Sequence, residues 1–442
     1  MLSGSFKILL FLAATSLLLQ ACVPVSQPVG SSSSATTQPD TNIPLANYVA
    51  SDNLKTVRLY PNTGDVNDVM YPPIVPLAQA APLYLEFDDL TGEYAQYAYK
   101  IIHCDEDWTP SQLSNLEYLF DYNEFNITQH EFSYNTRTQY VHYFTPLPKV
   151  KQPGNYVLQL YRNDTPGNIL LTQRFMVYDN QVLVSPRIGL AEAVAARRTR
   201  QQVQFTVNYN NLAVLNPFEQ VKVVIRKNYR WDNAITNLKP NFVREGQNQL
   251  EYEYFDLRNT FYGGNQYRFF DIRMLNALGR NVGKIKMEPD GVKAFLLKDK
   301  SRANQPYTQY PDFDGGYVIE NVERGTGTGA TESDYVSVNF LLETTDKAIG
   351  DIYVLGQMNQ YKHTEENKLT YDPAVSGYTG DLLLKQGWYD YIYYAPEAPN
   401  PYMYEGSFNQ TENIYEILVY FRGQTDRTDY LVGYSRVTVN DD

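Results

Sequence analysis

The chain predicts an all-β fold of tandem sandwiches, and three observations carry that prediction. Aromatic content is high, with 39 Tyr, 20 Phe and 3 Trp among 442 residues. Tyr suits half-buried pleated surfaces, where the ring packs and the hydroxyl stays wet. Apolar and polar residues alternate with period two, most plainly where Val203, Phe205, Val207 and Tyr209 interleave with Gln204, Thr206 and Asn208. Beyond residue 21, no amphipathic pattern long enough for three helical turns occurs.

Taken in order, the elements fall into three blocks. The first, 49–182, opens with alternation over Lys55, Thr56, Val57, Arg58, Leu59 and Tyr60, then a turn at Asn62-Thr-Gly-Asp65. Strands follow near 83–87, 97–102, 156–162 and 175–178, with a turn dipeptide at Pro153-Gly154. The stretch 112–124 reads as a short helix or a long loop. The second block, 183–324, follows an Ala-rich piece, 191–200, that reads as a connector or a short helix. Its strands are expected near 203–209, 221–226, 250–254, 267–273 and 295–297. Gly325-Thr-Gly-Thr-Gly329 is a boundary loop. The third block, 330–442, carries expected strands near 335–340, 352–355, 382–384, 388–394 and 414–421. Strands at this rhythm between turn signals describe antiparallel sandwiches.

The N-terminus reads as an export signal. Lys7 precedes an apolar run, 8–19, and Leu19, Gln20, Ala21 and Cys22 follow. A basic start, a short apolar run and a small residue before a cut describe a secretory signal over 1–21, too short to span a bilayer comfortably. Leu-Gln-Ala-Cys also resembles the lipobox of bacterial lipoproteins. That resemblance implies cleavage before Cys22, attachment of lipid to its thiol, and membrane contact through the lipid. Residues 22–48, rich in Ser, Pro and Thr, form a disordered tether. Lipoproteins displayed outside the cell often carry acidic residues just after the cysteine, and Val23-Pro-Val-Ser-Gln27 has none. Retention on the periplasmic face of the outer membrane is the expectation.

Charge and chemistry exclude several function classes. The net charge is −13 and the isoelectric point about 4.9, which argues against nucleic acid, whose phosphates need clustered Lys and Arg. With Cys22 acylated, Cys104 stands alone and reads as a small buried hydrophobe. Of the four histidines, His103, His130, His142 and His363, none sits near a nucleophile elbow. His103 and Cys104 are sequence neighbours, so a strand turns them to opposite faces. Asp105-Glu-Asp107 and Asp312-Phe-Asp314-Gly-Gly316 read as solvated turn acids, because the remaining ligands of a calcium loop do not follow. Gly325-Thr-Gly-Thr-Gly329 lacks the strand, helix and Lys of a phosphate loop. The expectation is no enzyme, no catalytic residue, no cofactor, no metal and no small-molecule substrate.

Two resemblances give the blocks a name. In the third, Asp351-Ile-Tyr-Val-Leu-Gly-Gln-Met-Asn359, Gly377-Tyr378 and Gly387-Trp-Tyr-Asp-Tyr391 resemble the early-set immunoglobulin-like fold of glycogen-binding modules. Those modules place Trp where Tyr361 and Tyr378 stand here, and Tyr can also stack on a sugar. A carbohydrate-binding outer-membrane lipoprotein is the alternative this block implies. Over residues 50 to the C-terminus, longer phrases resemble the plug protein family of the type IX secretion system. They include Val57-Arg-Leu-Tyr-Pro-Asn-Thr-Gly64, Leu85-Glu-Phe-Asp-Asp-Leu90, Lys100-Ile-Ile-His-Cys104, Asp107-Trp-Thr-Pro110, Arg174-Phe-Met-Val-Tyr-Asp179, Val221-Lys-Val-Val-Ile-Arg226 and Arg230-Trp-Asp-Asn-Ala-Ile235. The family implies a periplasmic all-β protein that binds the large outer-membrane translocon barrel and closes its mouth while no substrate is engaged.

Overall fold

Strand pairing accounts for nearly all regular structure, as expected. The computed structural model describes residues 45–78, 82–289, 291–325, 329–344 and 350–440. Among them the α-helices are single turns at Asn115–Tyr118, Pro217–Gln220 and Gly329–Glu332. Within 112–124 the sequence allowed a helix or a loop, and one turn of helix forms. Ser114 and Glu117 cap it reciprocally: the Glu117 carboxylate accepts from the Ser114 backbone N–H at 2.8 Å. The Ala-rich piece becomes a 3-10 turn at Val194–Ala196. The expected signal 1–21, Cys22 and residues 22–44 of the expected tether lie outside the described residues; its last part, 45–48, is ordered instead, because Leu45 packs on the first unit and Tyr48 pairs with Thr172.

The first unit is contiguous in sequence. One sheet runs Tyr48–Val49, Ile169–Tyr178, Gly154–Arg162, Tyr97–Cys104, Phe125–Ile127, with Ile74–Pro76 parallel to Ile169–Tyr178. The facing sheet runs Leu54–Pro61, Leu83–Asp89, Val141–Pro146, Gln129–Phe132. Between them Phe87 stacks on Tyr143 at 5.2 Å and meets Tyr97 edge-on at 5.3 Å. Such aromatic pairs add about 0.5–1.5 kcal/mol each to the area they bury. In Gly154–Arg162 every residue through Tyr161 is buried, polar Asn155 and Gln159 included. Both faces are covered. Tyr156, Leu158 and Leu160 enter the sandwich core, while Val157 joins a separate cluster with Val224, Leu418 and Tyr420 of the second unit.

The other two units exchange chain segments. In the second, Leu183–Leu190, Arg200–Asn208, Gln249–Tyr252 and Phe242–Arg244 form one sheet, with Thr260–Tyr262 beside Arg200–Asn208. The facing sheet is Val221–Lys227, Asn413–Phe421 and Tyr430–Val439. Two of its three strands therefore come from the chain's end. Tyr415, Ile417 and Val419 share a core with Val203, Phe205 and Val207. The third unit is one ten-stranded sheet, from Arg268–Asp271 through Gly387–Tyr394, Ile352–Leu355, Lys368–Asp372, Gly377–Lys385, Tyr335–Glu343 and Gly291–Leu296 to Val282–Glu288, with Asp299–Lys300 beside Tyr335–Glu343 and Tyr317–Ile319 beside Gly387–Tyr394. It curls on itself, so that Phe340 from one half meets Tyr391 from the other at 5.2 Å. Three of its strands lie before residue 300. The divisions expected at 183–324 and 330–442 thus cross two cores that are discontinuous in sequence, because strand rhythm reports a strand and not its partner.

Candidate functional site

Several of the residues singled out in the sequence are packed against neighbouring side chains. Cys22, the expected lipid-attachment residue, lies outside the described residues, as do the three central positions of the 325–329 loop. Cys104 is fully buried, and burial pushes its thiol up to about 12. It joins the cluster between the first two units, while His103 turns to the other face against Tyr156, ring edge to ring face at 4.8 Å. His103 Nδ1 lies 2.9 Å from Ser111 Oγ, yet burial pulls its basicity down to about 4. His142 pairs with Asp88, His130 packs on Tyr94, and His363 lies between Tyr353 and Tyr394. Among the described residues no three His, Cys, Asp or Glu side chains are grouped to hold a metal ion.

The acidic loops correct the expectation of solvated turns. Asp107 fits it, exposed and accepting from the Thr109 backbone and hydroxyl at 3.0 and 2.6 Å. Asp105 instead accepts from Thr428 Oγ1 at 2.8 Å and pairs with Arg422 at 2.7 Å, across to the second unit. Asp312 accepts from the Tyr267 and Asp314 backbone N–H groups at 2.5 and 2.9 Å. Burial, reinforced by Asp312, pushes Asp314 up to about 8. Asp105 is drawn in because its loop is fastened to the second unit, and Asp312 because its loop folds back on Tyr267 of its own unit. The glycine after Asp314 is required by that closeness. Gly315 has φ +85°, and a Cβ there would collide with the Tyr361 hydroxyl and the Tyr267 ring.

What the fold does bring together is a junction of all three units. The first and third meet at Asp88. Its Oδ2 accepts from Lys385 Nζ and Tyr335 Oη, each at 2.6 Å, and Oδ1 lies 2.7 Å from His142 Nδ1. Burial would raise the Asp88 carboxyl, but the Lys385 ammonium and His142 hold it below its usual range. Lys385 also sits 4.2 Å above the Tyr140 ring. Tyr140, in turn, donates to the Ser333 carbonyl at 2.9 Å. The first and second units meet where Trp108 packs edge-on against Trp231 at 5.0 Å. Arg174 covers Trp108 at 4.1 Å, and Arg226 covers Trp231 at 4.3 Å. The second and third meet at Arg230, fully buried, 4.5 Å above the Tyr361 ring and paired to Asp232 at 2.6 Å. A cavity of about 120 Å³ remains beside the Trp108–Trp231 and Arg230–Tyr361 contacts, lined by residues of all three units.

Sequence reasoning did not single out Arg174, Arg226, Arg230, Trp231, Asp88 or Lys385 as site residues. A signal for most of them was present. Phrases that carried the plug-family resemblance, around Asp88, Trp108, Arg174, Arg226 and Arg230, converge on this junction. Tyr361 and Tyr378, weighed as sugar-stacking residues, are buried, at 6% and 3% exposure. Neither offers an open face to a sugar, because Tyr361 lies under Arg230 and Tyr378 is in the third core.

Away from the junction, the capped turn presents apolar side chains outward. Leu116, Phe120 and Tyr122 are 73%, 63% and 80% exposed. Lys151 Nζ lies 5.0 Å above Phe120 and donates to the Leu116 carbonyl at 2.8 Å, so the turn is held in place while its apolar residues face solvent.

Residues 54–179, which span nearly all of the first unit, match the family model described as the first domain of type 9 secretion system plug proteins. No curated protein matches the chain. The chain is similar to a hypothetical protein from Parabacteroides merdae ATCC 43184, solved by crystallography at 2.30 Å, with 29% sequence identity and a TM-score of 0.84. That similarity covers 90% of this chain and 100% of the other. The all-β architecture is therefore shared across almost the whole length. The first unit is thus similar to the plug family's first domain, and the resemblance read from its phrases points to the same family.

Proposed function

We propose that this chain is a non-enzymatic plug subunit of the type IX secretion system. It is held at the periplasmic face of the outer membrane by lipid on Cys22. There it docks on the periplasmic end of the translocon barrel and closes the pore while no substrate is engaged. The match of residues 54–179 to the plug family's first domain carries this reading. The geometry supports it in two ways. A stopper must keep its shape, and buried ion pairs and aromatic contacts tie the three units together at one junction. A docked protein also needs apolar anchors in a polar surround, which Leu116, Phe120 and Tyr122 supply on an acidic chain.

Obstruction needs no reactive group, and the buried His103 and Cys104 are poorly placed to supply one. Affinity capture from detergent-solubilised outer membranes is expected to retrieve one very large barrel as the main partner. Deletion is expected to raise permeability to large antibiotics while sugar uptake stays unchanged. Capture without a barrel, together with normal permeability in the deletion strain, would overturn the proposal.

A further inference from the structure

The cavity at the three-unit junction has a wall rich in N–H donors that lack acceptors. Four guanidinium groups line it, from Arg58, Arg174, Arg226 and Arg230. Three have a carboxylate each: Glu86 for Arg58, Glu416 for Arg226 at 2.7 Å, and Asp232 for Arg230 at 2.6 Å. Arg174 forms no ion pair among the described residues. Its Nε donates to the Leu45 carbonyl at 2.7 Å, and its plane lies on Trp108. Burial pulls this guanidinium down to about 10, and the nearby Arg226 acts in the same direction. Four further donors in the same wall are buried without a partner: Arg58 Nε, Trp108 Nε1, Gln173 Nε2 and Arg226 Nε. The carboxyl in the lining, Asp314, is pushed up to about 8 by burial and by Asp312, which favours its neutral form and weakens its opposition to a negative guest.

Unpaired buried donors each cost roughly 1–3 kcal/mol, and an unpaired cation costs more. A space of about 120 Å³ far exceeds the roughly 15 Å³ that one water needs. An acceptor-only guest relieves several donors at once, and a planar guanidinium favours oxyanions through paired N–H···O bonds. A metal cation or a neutral apolar guest relieves none of them.

We propose that this junction cavity binds a small oxyanion, of carboxylate or phosphate size, with the Arg174 guanidinium as its principal partner. The proposal does not rest on the plug reading. Because the guest touches all three units, its binding stabilises the whole folded chain by mass action.

The tryptophans supply the test. Trp108 and Trp231 line the cavity, whereas Trp388 lies outside the lining, stacked on Phe269. Full-length folded protein, labelled with nitrogen-15, is titrated with acetate and, separately, with inorganic phosphate against chloride at matched ionic strength. The indole resonances of Trp108 and Trp231 are expected to shift saturably while that of Trp388 stays put. The thermal midpoint is expected to rise with the same anion. Acetate alone acting points to a carboxylate guest, and phosphate alone to a phosphate guest; either supports the proposal. In Arg174→Gln the affinity is expected to fall roughly tenfold or more, the loss of a charge-assisted hydrogen bond. Arg174→Lys, which keeps the charge but not the fork, is expected to weaken binding less. Indole resonances that move equally for all three tryptophans, or for none, mean a cavity filled by water alone and overturn the proposal. So does full affinity in a folded Arg174→Gln variant.

Discussion

The first and second units solve the same packing problem with different stretches of chain. The first closes both of its sheets from residues 48–178. The second covers Arg200–Asn208 with a sheet whose central strand, Asn413–Phe421, and one edge strand, Tyr430–Val439, arrive after the whole third unit has been threaded. A core built locally can form as soon as its stretch exists. A core built across about 200 residues waits for the end of the chain and bears a loop-closure cost that grows slowly with length. The difference teaches that the second and third units are one folding problem, whatever their strand rhythm suggests.

Truncation gives the sharpest contrast between them. Removing 413–440 strips Val221–Lys227 of Asn413–Phe421, the strand it pairs with along its length, and takes Tyr415, Ile417 and Val419 from the core. The second unit is expected to unfold completely in that variant, seen as collapsed amide dispersion for its residues. A fragment 45–182 is expected to keep dispersed amide signals, although it exposes Val157 and Met176 and self-associates. A well-dispersed second unit without 413–440 would show that the two units differ less than their topology implies.

Next in size is the tie between the first and third units. Lys385→Met leaves Asp88 buried beside Tyr335 without its cation. Such a broken buried pair costs about 3–5 kcal/mol. The loss should be visible as a lower urea midpoint in which both units unfold together. Asp88→Asn combined with Lys385→Met is expected to recover much of that loss, since an uncharged pair needs no compensation. If the single variant unfolds the third unit alone, the junction does not couple them.

Acid separates the units by a different route. Glu405 is buried; desolvation would raise it, but Arg268 and Arg302 hold it at about 2 against an ordinary 4.5. A depressed carboxylate stabilises the fold above its unfolded value, and that stability drains away as pH falls from about 4.5 to about 2, by about 3 kcal/mol in all. His103 in the first unit is held neutral, at about 4 against 6.5. Its unfolded form takes up a proton first, so the loss begins near pH 6.5 and is complete near pH 4. The first unit is therefore expected to weaken before the third. Stability curves for Glu405→Gln and for a His103→Gln variant, each compared with the parent between pH 7 and 3, check the order.

How far the sequence foretold this arrangement depends on the element. Strand positions near 55–60, 83–87, 97–102, 203–209 and 221–226 were legible because period-two alternation and β-branched or aromatic residues mark a pleated surface. The buried polar residues between them were not. Gln204 falls on the polar side of the alternation, yet it is 6% exposed, because its amide donates to the Tyr254 carbonyl at 3.2 Å. Tyr430–Val439 escaped notice since Gly433, Ser435 and Arg436 interrupt its apolar rhythm; Gly433 is needed where the strand passes Val182 and Val419. At the junction, Arg174 and Arg226 sit in strand phrases where a charged residue ordinarily faces water. Only the neighbouring unit, invisible to local rhythm, turns that face inward. The discontinuous cores are illegible for the same reason.

The smallest change in stability is expected at the one place where the largest loss of function should follow. Phe120 and Tyr122 touch solvent over most of their surface, so Phe120→Ser with Tyr122→Ser is expected to alter stability by no more than about 0.5 kcal/mol each. The capped turn beneath them keeps its Ser114–Glu117 bonds. If these side chains anchor the docked state, capture of the barrel falls in the double variant while the urea midpoint stays where it was, and antibiotic permeability rises towards that of the deletion. Unchanged capture would move the docking surface elsewhere, the next candidates being Phe132 and Tyr134, which lie at and just beyond the edge strand Gln129–Phe132 and are 54% and 65% exposed. Both sets belong to the first unit. A docking face confined to the unit that closes its own core would let the stopper present a finished surface before the rest of the chain has folded.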